Sequence, residues 1–285
     1  MEFDLIVLSH VQARALMKAR GAGLRTQAVS LDLNISLTKV ELSAAGVALP
    51  DGQILPWDEV ERIAEDENTC FFIEEEEAIK IQFFSELLSR AYTLYPTESA
   101  PTMLVSGLPM HRIKGMNPHE DTLAKIKAAK PAGQVLDTAM GLGYTAIAAG
   151  KRAGVTGVLT IELDPAIVKV CSLNPWSQAL FEKGKIERRM GDALEVIETL
   201  EEERFSTVVH DPPTFSLAGH LYSLEFYEEI YRILTRTGRF FHYIGDLESR
   251  SGAGMARGVR HRLAEAGFER VVDKKRAFGV VAHKQ

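Results

Sequence analysis

Between Gln134 and His283, short apolar runs alternate with stretches in which apolar residues recur every three or four positions. The first pattern predicts buried strands and the second predicts amphipathic helices. Strands are expected at Val135–Thr138, Val158–Glu162, Ile186–Met190, Phe205–His210 and Arg239–Ile244. Helices are expected at Thr145–Arg152, Ala166–Leu173, Ala193–Glu202, Glu225–Leu234 and Met255–Ala266. Such regular alternation predicts a parallel sheet covered by helices on both faces. Arg270–Asp273 and Phe278–His283 follow as two strands with no helix between them, which predicts an antiparallel pair at the sheet edge.

The first hundred residues are patterned differently. A helix is expected over His10–Arg20, and Val29–Leu42 reads as a half-buried strand because Ser-Leu-Asp-Leu-Asn-Ile-Ser-Leu alternates with period two. Pro50-Asp51-Gly52 marks a turn before a second strand, and a helix starts near Pro56–Glu65. Glu74–Glu77 reads as a solvated turn or helix start, and Ala78–Tyr95 as an amphipathic helix. Thr93–Pro118, with four prolines, reads as a connector. Asn117-Pro118-His119-Glu120 opens a helix, with proline early and acids in the first turn. The expected organisation is an α+β accessory or substrate domain over 1–100, a connector and leading helix over 101–133, and an α/β domain over 134–285.

Composition narrows the class. A chain of 285 residues is long enough for two domains, and its 46% hydrophobic and 25% charged residues suit a globular core. No apolar run reaches the ~18 residues that cross a bilayer. Met1-Glu2-Phe3-Asp4 has neither the basic start nor the cleavage site of a signal peptide. The two cysteines, Cys70 and Cys171, cannot form a disulfide framework or a cysteine zinc site, so a reducing cytoplasm is expected. No His/Cys/Asp cluster has metal-ligand spacing. Net charge is −6, but it is uneven: residues 1–100 hold 8 Lys/Arg against 17 Asp/Glu, and the remainder 25 against 22. The mildly basic second part can meet a polyanion locally, although an ordinary solvated surface explains it equally.

Chemistry concentrates at the ends of successive strands. The first runs into Asp137-Thr138-Ala139-Met140-Gly141-Leu142-Gly143-Tyr144, where the glycines allow a tight turn and close approach of a ligand. Nineteen residues after Gly143, at the end of the second strand, Glu162 can accept hydrogen bonds from both hydroxyls of a ribose. After the third strand, Asp192 in Gly191-Asp192-Ala193 can accept from the exocyclic amine of an adenine. The fourth strand ends in Asp211-Pro212-Pro213-Thr214-Phe215. Its prolines fix φ and remove two donors, so Asp211 and the Pro212 carbonyl can together hold both hydrogens of a planar amine. A strand-end acid is otherwise often a helix cap, and an Asp-Pro turn often structural. Nicotinamide binding also fits G-x-G-x-x-A, but no hydride-transfer motif accompanies it.

Asp137–Gly143, Glu162, Asp192 and Asp211–Thr214 resemble the successive motifs of class I S-adenosylmethionine-dependent methyltransferases over about residues 110–285. The Asp-Pro-Pro segment resembles the Asp/Asn-Pro-Pro-aromatic loop of enzymes that methylate exocyclic amines of nucleobases. The catalytic half is similar to archaeal methyltransferases grouped with spermine synthases, and within them to the enzyme making dimethylcytidine in ribosomal RNA. The resemblance implies a Rossmann-like seven-stranded sheet and S-adenosylmethionine as cofactor. The cofactor would be held by Asp137, Thr138, Ala139, Gly141, Gly143, Tyr144, Glu162, Leu163, Asp192 and Ala193. Asp211 and Pro212 would position the acceptor, Pro213 would stiffen the loop, and Phe215 would stack on the base. Two positions depart from the pattern: Ala139 replaces the first glycine, and Thr214 replaces the aromatic after Pro-Pro.

Substrate contacts are expected from His111, Arg112 and Lys114 before the domain, Tyr222 (with His220) in a lid after Phe215, and Arg250 and Arg257 around a Gly-rich loop, Ser251–Gly254. His210 and Trp176 are expected to be structural. The partner implied is RNA, whose target base must be unpaired or flipped out. Aminopropyl transfer to a polyamine is the competing enzyme class, small-molecule N-methylation a related one, and a cofactor-sensing or RNA-binding scaffold the non-enzymatic alternative.

Overall fold

The computed structural model describes residues 5–285; Met1–Asp4 and the side chains of Arg250 and Ser251 lie outside the described residues. The chain forms two compact units, one of residues 1–119 with 166–178, the other of 120–165 with 179–285.

In the first unit the elements are β1 (Val7–Leu8), α1 (His10–Gly21), β2 (Thr26–Val29), β3 (Thr38–Leu42), β4 (Gly46–Ala48), β5 (Ile54–Pro56), α2 (Trp57–Glu65), β6 (Phe71–Glu74), β7 (Glu77–Lys80), β8 (Gln82–Ser85), β9 (Arg90–Tyr95), β10 (Thr102–Val105) and β11 (Leu108–Pro109). They build sheets of order β2-β3-β4-β5, β1-β6-β7 and β11-β10-β9-β8. Leu8, Leu16, Val40, Leu55, Ile63 and Phe71 form part of the buried core beneath α1 and α2.

Two expectations fail here, each for a local reason. Val29–Leu42 is not one strand, because Ser30–Leu37 folds on itself. The Asp32 carboxylate accepts the backbone N–H groups of Ile35 (3.1 Å) and Ser36 (2.9 Å), Ser30 Oγ accepts that of Asn34 (2.7 Å), and Leu33 and Asn34 take φ of 53° and 71°. Short polar side chains thus offer the backbone a better partner than a ladder would. Ala78–Tyr95 is not a helix but β7, β8 and β9, since Tyr92 and Leu94 are buried between less buried neighbours with period two. Glu75 and Glu76, at φ 50° and 66°, form the turn expected at the glutamate run. The proline-rich connector holds β10 and β11, with β10 hydrogen-bonded to β9.

The second unit contains most of α3 (Pro118–Ala129), then β12 (Gly133–Asp137), α4 (Tyr144–Gly150) and β13 (Val155–Glu162). Helix α5 (Pro165–Ser172) packs largely with the first unit. The second unit continues with β14 (Ile186–Met190), α6 (Ala193–Glu198), β15 (Phe205–His210), α7 (Leu224–Ile233), β16 (Leu234–Tyr243), α8 (Arg250–Glu265), β17 (Arg270–Lys274) and β18 (Gly279–His283). The sheet order is β14-β13-β12-β15-β16-β18-β17. β14 to β16 run parallel, and β18 inserts antiparallel between β16 and β17. This is the parallel sheet expected from the alternation and the Rossmann-like seven-stranded sheet that the resemblance implied.

Packing follows the pattern. Ser223 caps α7 by accepting from the Phe226 N–H, and Phe226, Tyr227, Ile230 and Ile233 repeat at helical spacing and are all buried. Each such side chain stabilises the fold by roughly 1.5–3 kcal/mol. The supposed Gly-rich loop Ser251–Gly254 is instead the first turn of α8. Ser249 caps it through the Gly252 N–H (3.0 Å), and the buried Ala256, Val259 and Leu263 anchor the helix despite its glycines. Among the described residues, no helix is long and apolar enough to cross a membrane.

Candidate functional site

The carboxyl ends of β12, β13, β14 and β15 face one edge of the sheet, where open α/β sheets bind ligands. Asp137, ending the central strand β12, is 1% exposed, and its oxygens accept from Thr145 Oγ1 (2.9 Å) and Thr160 Oγ1 (2.6 Å). Burial raises its pKa to about 7 against those two hydrogen bonds, with the nearby charges of Asp211 and Glu162 adding to the rise. Thr138 turns inward, its hydroxyl 2.6 Å from His210 Nδ1. Ala139 is half-buried, and Gly141 and Gly143 take φ of 52° and 75° as the chain turns into α4. A Cβ at Gly143 would strike Leu180, so the glycine there is required sterically as well as conformationally. Tyr144 follows, buried in the first turn of α4.

Glu162 ends β13. Oε2 accepts from the Gly141 N–H (3.0 Å) and Oε1 from the Asp164 N–H (2.9 Å), so the carboxylate ties the glycine loop to its own strand. Burial raises this group too to about 7, against hydrogen bonds from Asp164, Gly141 and Leu163. A carboxylate has about four acceptor positions, so three backbone donors leave capacity for one further hydroxyl. The Leu163 side chain is 38% exposed beside it. Asp192 caps α6 through the Leu194 N–H (2.9 Å), while its Oδ2 lies 2.9 Å from His220 Nε2; Ala193 is buried behind it. An amine reaching Asp192 therefore has to share it with His220.

At the end of β15 the sequence concealed the most important contact. Lys125 of α3 places Nζ 2.6 Å from Asp211 Oδ2 and 2.9 Å from Asp121 Oδ2, and 4.5 Å from the Tyr243 ring centroid. The lysine side chain is 3% exposed and Asp121 fully buried, whereas Asp211 is 18% exposed. Burial opposes the ammonium charge, but the charges of Asp211 and Asp121 outweigh it and the lysine pKa is raised. The i, i+4 spacing of Asp121 and Lys125 was visible in the sequence; their meeting with Asp211 was not.

The proline loop is braced from below. Pro212 is buried and Pro213 exposed, and the Pro213 carbonyl accepts from Tyr222 Oη at 3.0 Å. Among the described residues none donates to the Pro212 carbonyl. Phe215 is 49% exposed, its ring edge-on to Tyr222 at 5.5 Å. Tyr222 is itself only 4% exposed and serves here as the loop's support. His210 is structural: its Nε2 lies 3.0 Å from the Leu221 carbonyl, and burial lowers its pKa to about 3.

Among the softer candidates, His111, Arg112 and Lys114 follow β11 in the first unit, with His111 Nδ1 3.0 Å from Thr102 Oγ1. Arg257 is exposed on α8, and the Arg250 side chain is outside the described residues. Trp176 donates from Nε1 to the Leu33 carbonyl (2.8 Å) within the first unit, as befits a structural residue.

No family model matches the chain. Among solved structures it is similar to a spermidine synthase in complex with the transition-state analogue AdoDATO (TM-score 0.56, 16% identity, 72% of this chain and 73% of that one). It is also similar to the spermidine synthase of Thermotoga maritima (TM-score 0.54, 15% identity, 71% of each chain). At this identity the likeness shows the fold alone. The chain is 42% identical over 272 residues to the uncharacterized protein MJ1233 of Methanocaldococcus jannaschii, the match covering 92% of each. The chain therefore belongs to the same family as that Methanocaldococcus protein.

Proposed function

We propose that this chain is an S-adenosylmethionine-dependent N-methyltransferase acting in the cytoplasm on an exocyclic amine of an RNA base, with N4 of cytidine in ribosomal RNA the first candidate. One observation carries the reading: Asp211, at the tip of β15, is fixed by buried Lys125 beside a proline loop with an available Pro212 carbonyl and a half-exposed Phe215.

The residues at the strand tips support the cofactor reading. Gly141 and Gly143 carry no Cβ in the turn, Glu162 keeps acceptor capacity for a ribose hydroxyl, and Asp192 stands at the next strand tip. Bound there, S-adenosylmethionine would supply an electrophilic methyl group. The protein's own contribution is orientation and charge. Asp211 and the Pro212 carbonyl would accept the two N–H bonds of the amine, and Phe215 would hold the base plane. A nitrogen acquiring a methyl group gains positive charge, so an Asp211 carboxylate accepting its N–H bond favours the transition state over the neutral amine. Lys125 itself stays an ammonium and cannot be the base that removes the amine proton. Labelled methyl transfer to RNA, with the product identified by nucleoside mass spectrometry, tests the reading. Absence of any methylated nucleoside dependent on this protein would end it.

Aminopropyl transfer is the second reading, favoured by the spermidine synthase neighbours. A polyamine arrives as a cation, and here the acidic pair Asp121 and Asp211 already holds the ammonium of Lys125. That occupancy is why methylation of a neutral aromatic amine is preferred. Product formation from decarboxylated S-adenosylmethionine and putrescine would reverse the preference.

A further inference from the structure

Far along the sheet from the crevice, three basic side chains stand in one register row. Arg239 of β16 is directly opposite His283 of β18, which is directly opposite Arg270 of β17. Residues paired in this way point to the same face with Cβ atoms about 5 Å apart, so two guanidinium-bearing side chains flank one imidazole. Nothing offsets them: among the described residues, no carboxylate forms an ion pair with any of the three. Arg239 Nε is buried without a hydrogen-bond partner. His283 is held low by burial and then by Arg239, Arg270 and Lys274, with no acid acting in the other direction.

The row is also graded. Thr207, the β15 residue in register with Arg239, is 1% exposed; Arg239 and His283 are half-buried, and Arg270 on the edge strand is exposed. The cationic row thus begins under cover and opens to solvent at the sheet edge. Two arginines flanking a histidine, without an ion-paired carboxylate among the described residues, suit an external anion. Along β16, Arg239 lies four residues, or about 13 Å, before Tyr243 at the carboxyl edge. This separation suits a second attachment of an extended polyanion rather than contact with the reacting group.

We propose that Arg239, His283 and Arg270 form a phosphate-binding row for the backbone of the RNA. This rests on the RNA reading above and adds where the strand is held away from its reacting base. Phosphate contacts of this kind position the nucleic acid without reading its sequence.

The test measures binding of an unstructured RNA, poly(U), over a range of salt concentrations, with His283 followed by NMR. For the parent, poly(U) should shift the His283 ring resonances, whereas inorganic phosphate at equal phosphate concentration should not. Arg270→Gln, at an exposed position, should lower the slope of log affinity against log salt by about 1, and Arg239→Gln with Arg270→Gln by about 2. S-adenosylmethionine affinity should not change. An unchanged slope in both variants, or a His283 signal indifferent to RNA, overturns the row while leaving methyl transfer intact. Poly(U) binding at the row by a protein that methylates no RNA would uphold the row and remove the proposed activity. No RNA binding by the parent would overturn both.

Discussion

Two stretches of the same sheet edge hold carboxylates in opposite ways. At the tips of β12 and β13, Asp137 and Glu162 are buried among neutral donors, two threonine hydroxyls in one case and backbone N–H groups in the other, and both are raised to about 7. At the tip of β15, Asp211 meets a buried ammonium that also serves Asp121. Neutral donors orient a carboxylate without removing the cost of its charge, whereas a cation offsets the charge and fixes the geometry together. On the proposed function, the first arrangement would suit a loop that receives a polar, uncharged ribose. The second would suit a group that faces a nitrogen becoming positive.

The largest effect should come from removing the cation. Lys125→Met leaves Asp121 and Asp211 without their shared partner, and a buried charge stripped in this way costs ~3–5 kcal/mol. Thermal melts should show a large fall, partly restored by adding Asp121→Asn. If Lys125→Met melts like the parent, the ion pairs are not a structural element.

Asp211→Asn keeps shape and removes the charge at the acceptor end. Methyl transfer should fall by about 10²–10³ while S-adenosylmethionine affinity stays within a few-fold. Equal losses of transfer and cofactor binding would mean that the two ends of the edge are not separable.

Glu162→Gln sharpens the contrast at the other end. Asp137 and Glu162 have folded pKa values of about 7 against ordinary values of 3.8 and 4.5. Their protonated forms are favoured in the fold, so their stabilising contribution is complete at low pH and lost as pH rises from about 4 to 7. The Gln variant is spared that loss at one site. Relative to the parent, its stability should therefore increase between pH 4.5 and 7.5, while cofactor affinity drops by about an order of magnitude. A constant offset across that range would contradict the buried, neutral-donor setting.

The smallest change is Tyr222→Phe, which deletes only the donor to the Pro213 carbonyl. A stability loss of about 1 kcal/mol is expected in denaturant titrations, with a modest rise in the KM for RNA. A fall in kcat as large as that of Asp211→Asn would instead put Tyr222 in contact with the substrate.

Periodicity was most reliable where burial imposed it. Phe205–His210 forms a strand with the expected ends, because a run of apolar residues at the centre of a sheet has little alternative, whereas Ile186–Met190 keeps its expected ends as a largely exposed edge strand paired to β13. It misled at Ser30–Leu37, where alternation was real but Asp32 and Ser30 captured the backbone, and at Ala78–Tyr95, where short hairpins mimic helical spacing. At the site, the residues at the strand tips were readable because ligand loops follow strands. The directions of their side chains were not. Thr138 faces His210 and Tyr222 supports the loop, facts set by packing partners distant in sequence.

The order of elements, the parallel sheet with its antiparallel ending, and the acids at successive strand tips follow from the amino-acid order alone, because side-chain burial repeats locally. The neighbours of those acids do not. Lys125 reaches Asp211 across 86 positions, and Arg239, His283 and Arg270 align only when β18 inserts between β16 and β17. Charge acts through space over a few ångströms, and only the folded chain decides which charges come that close.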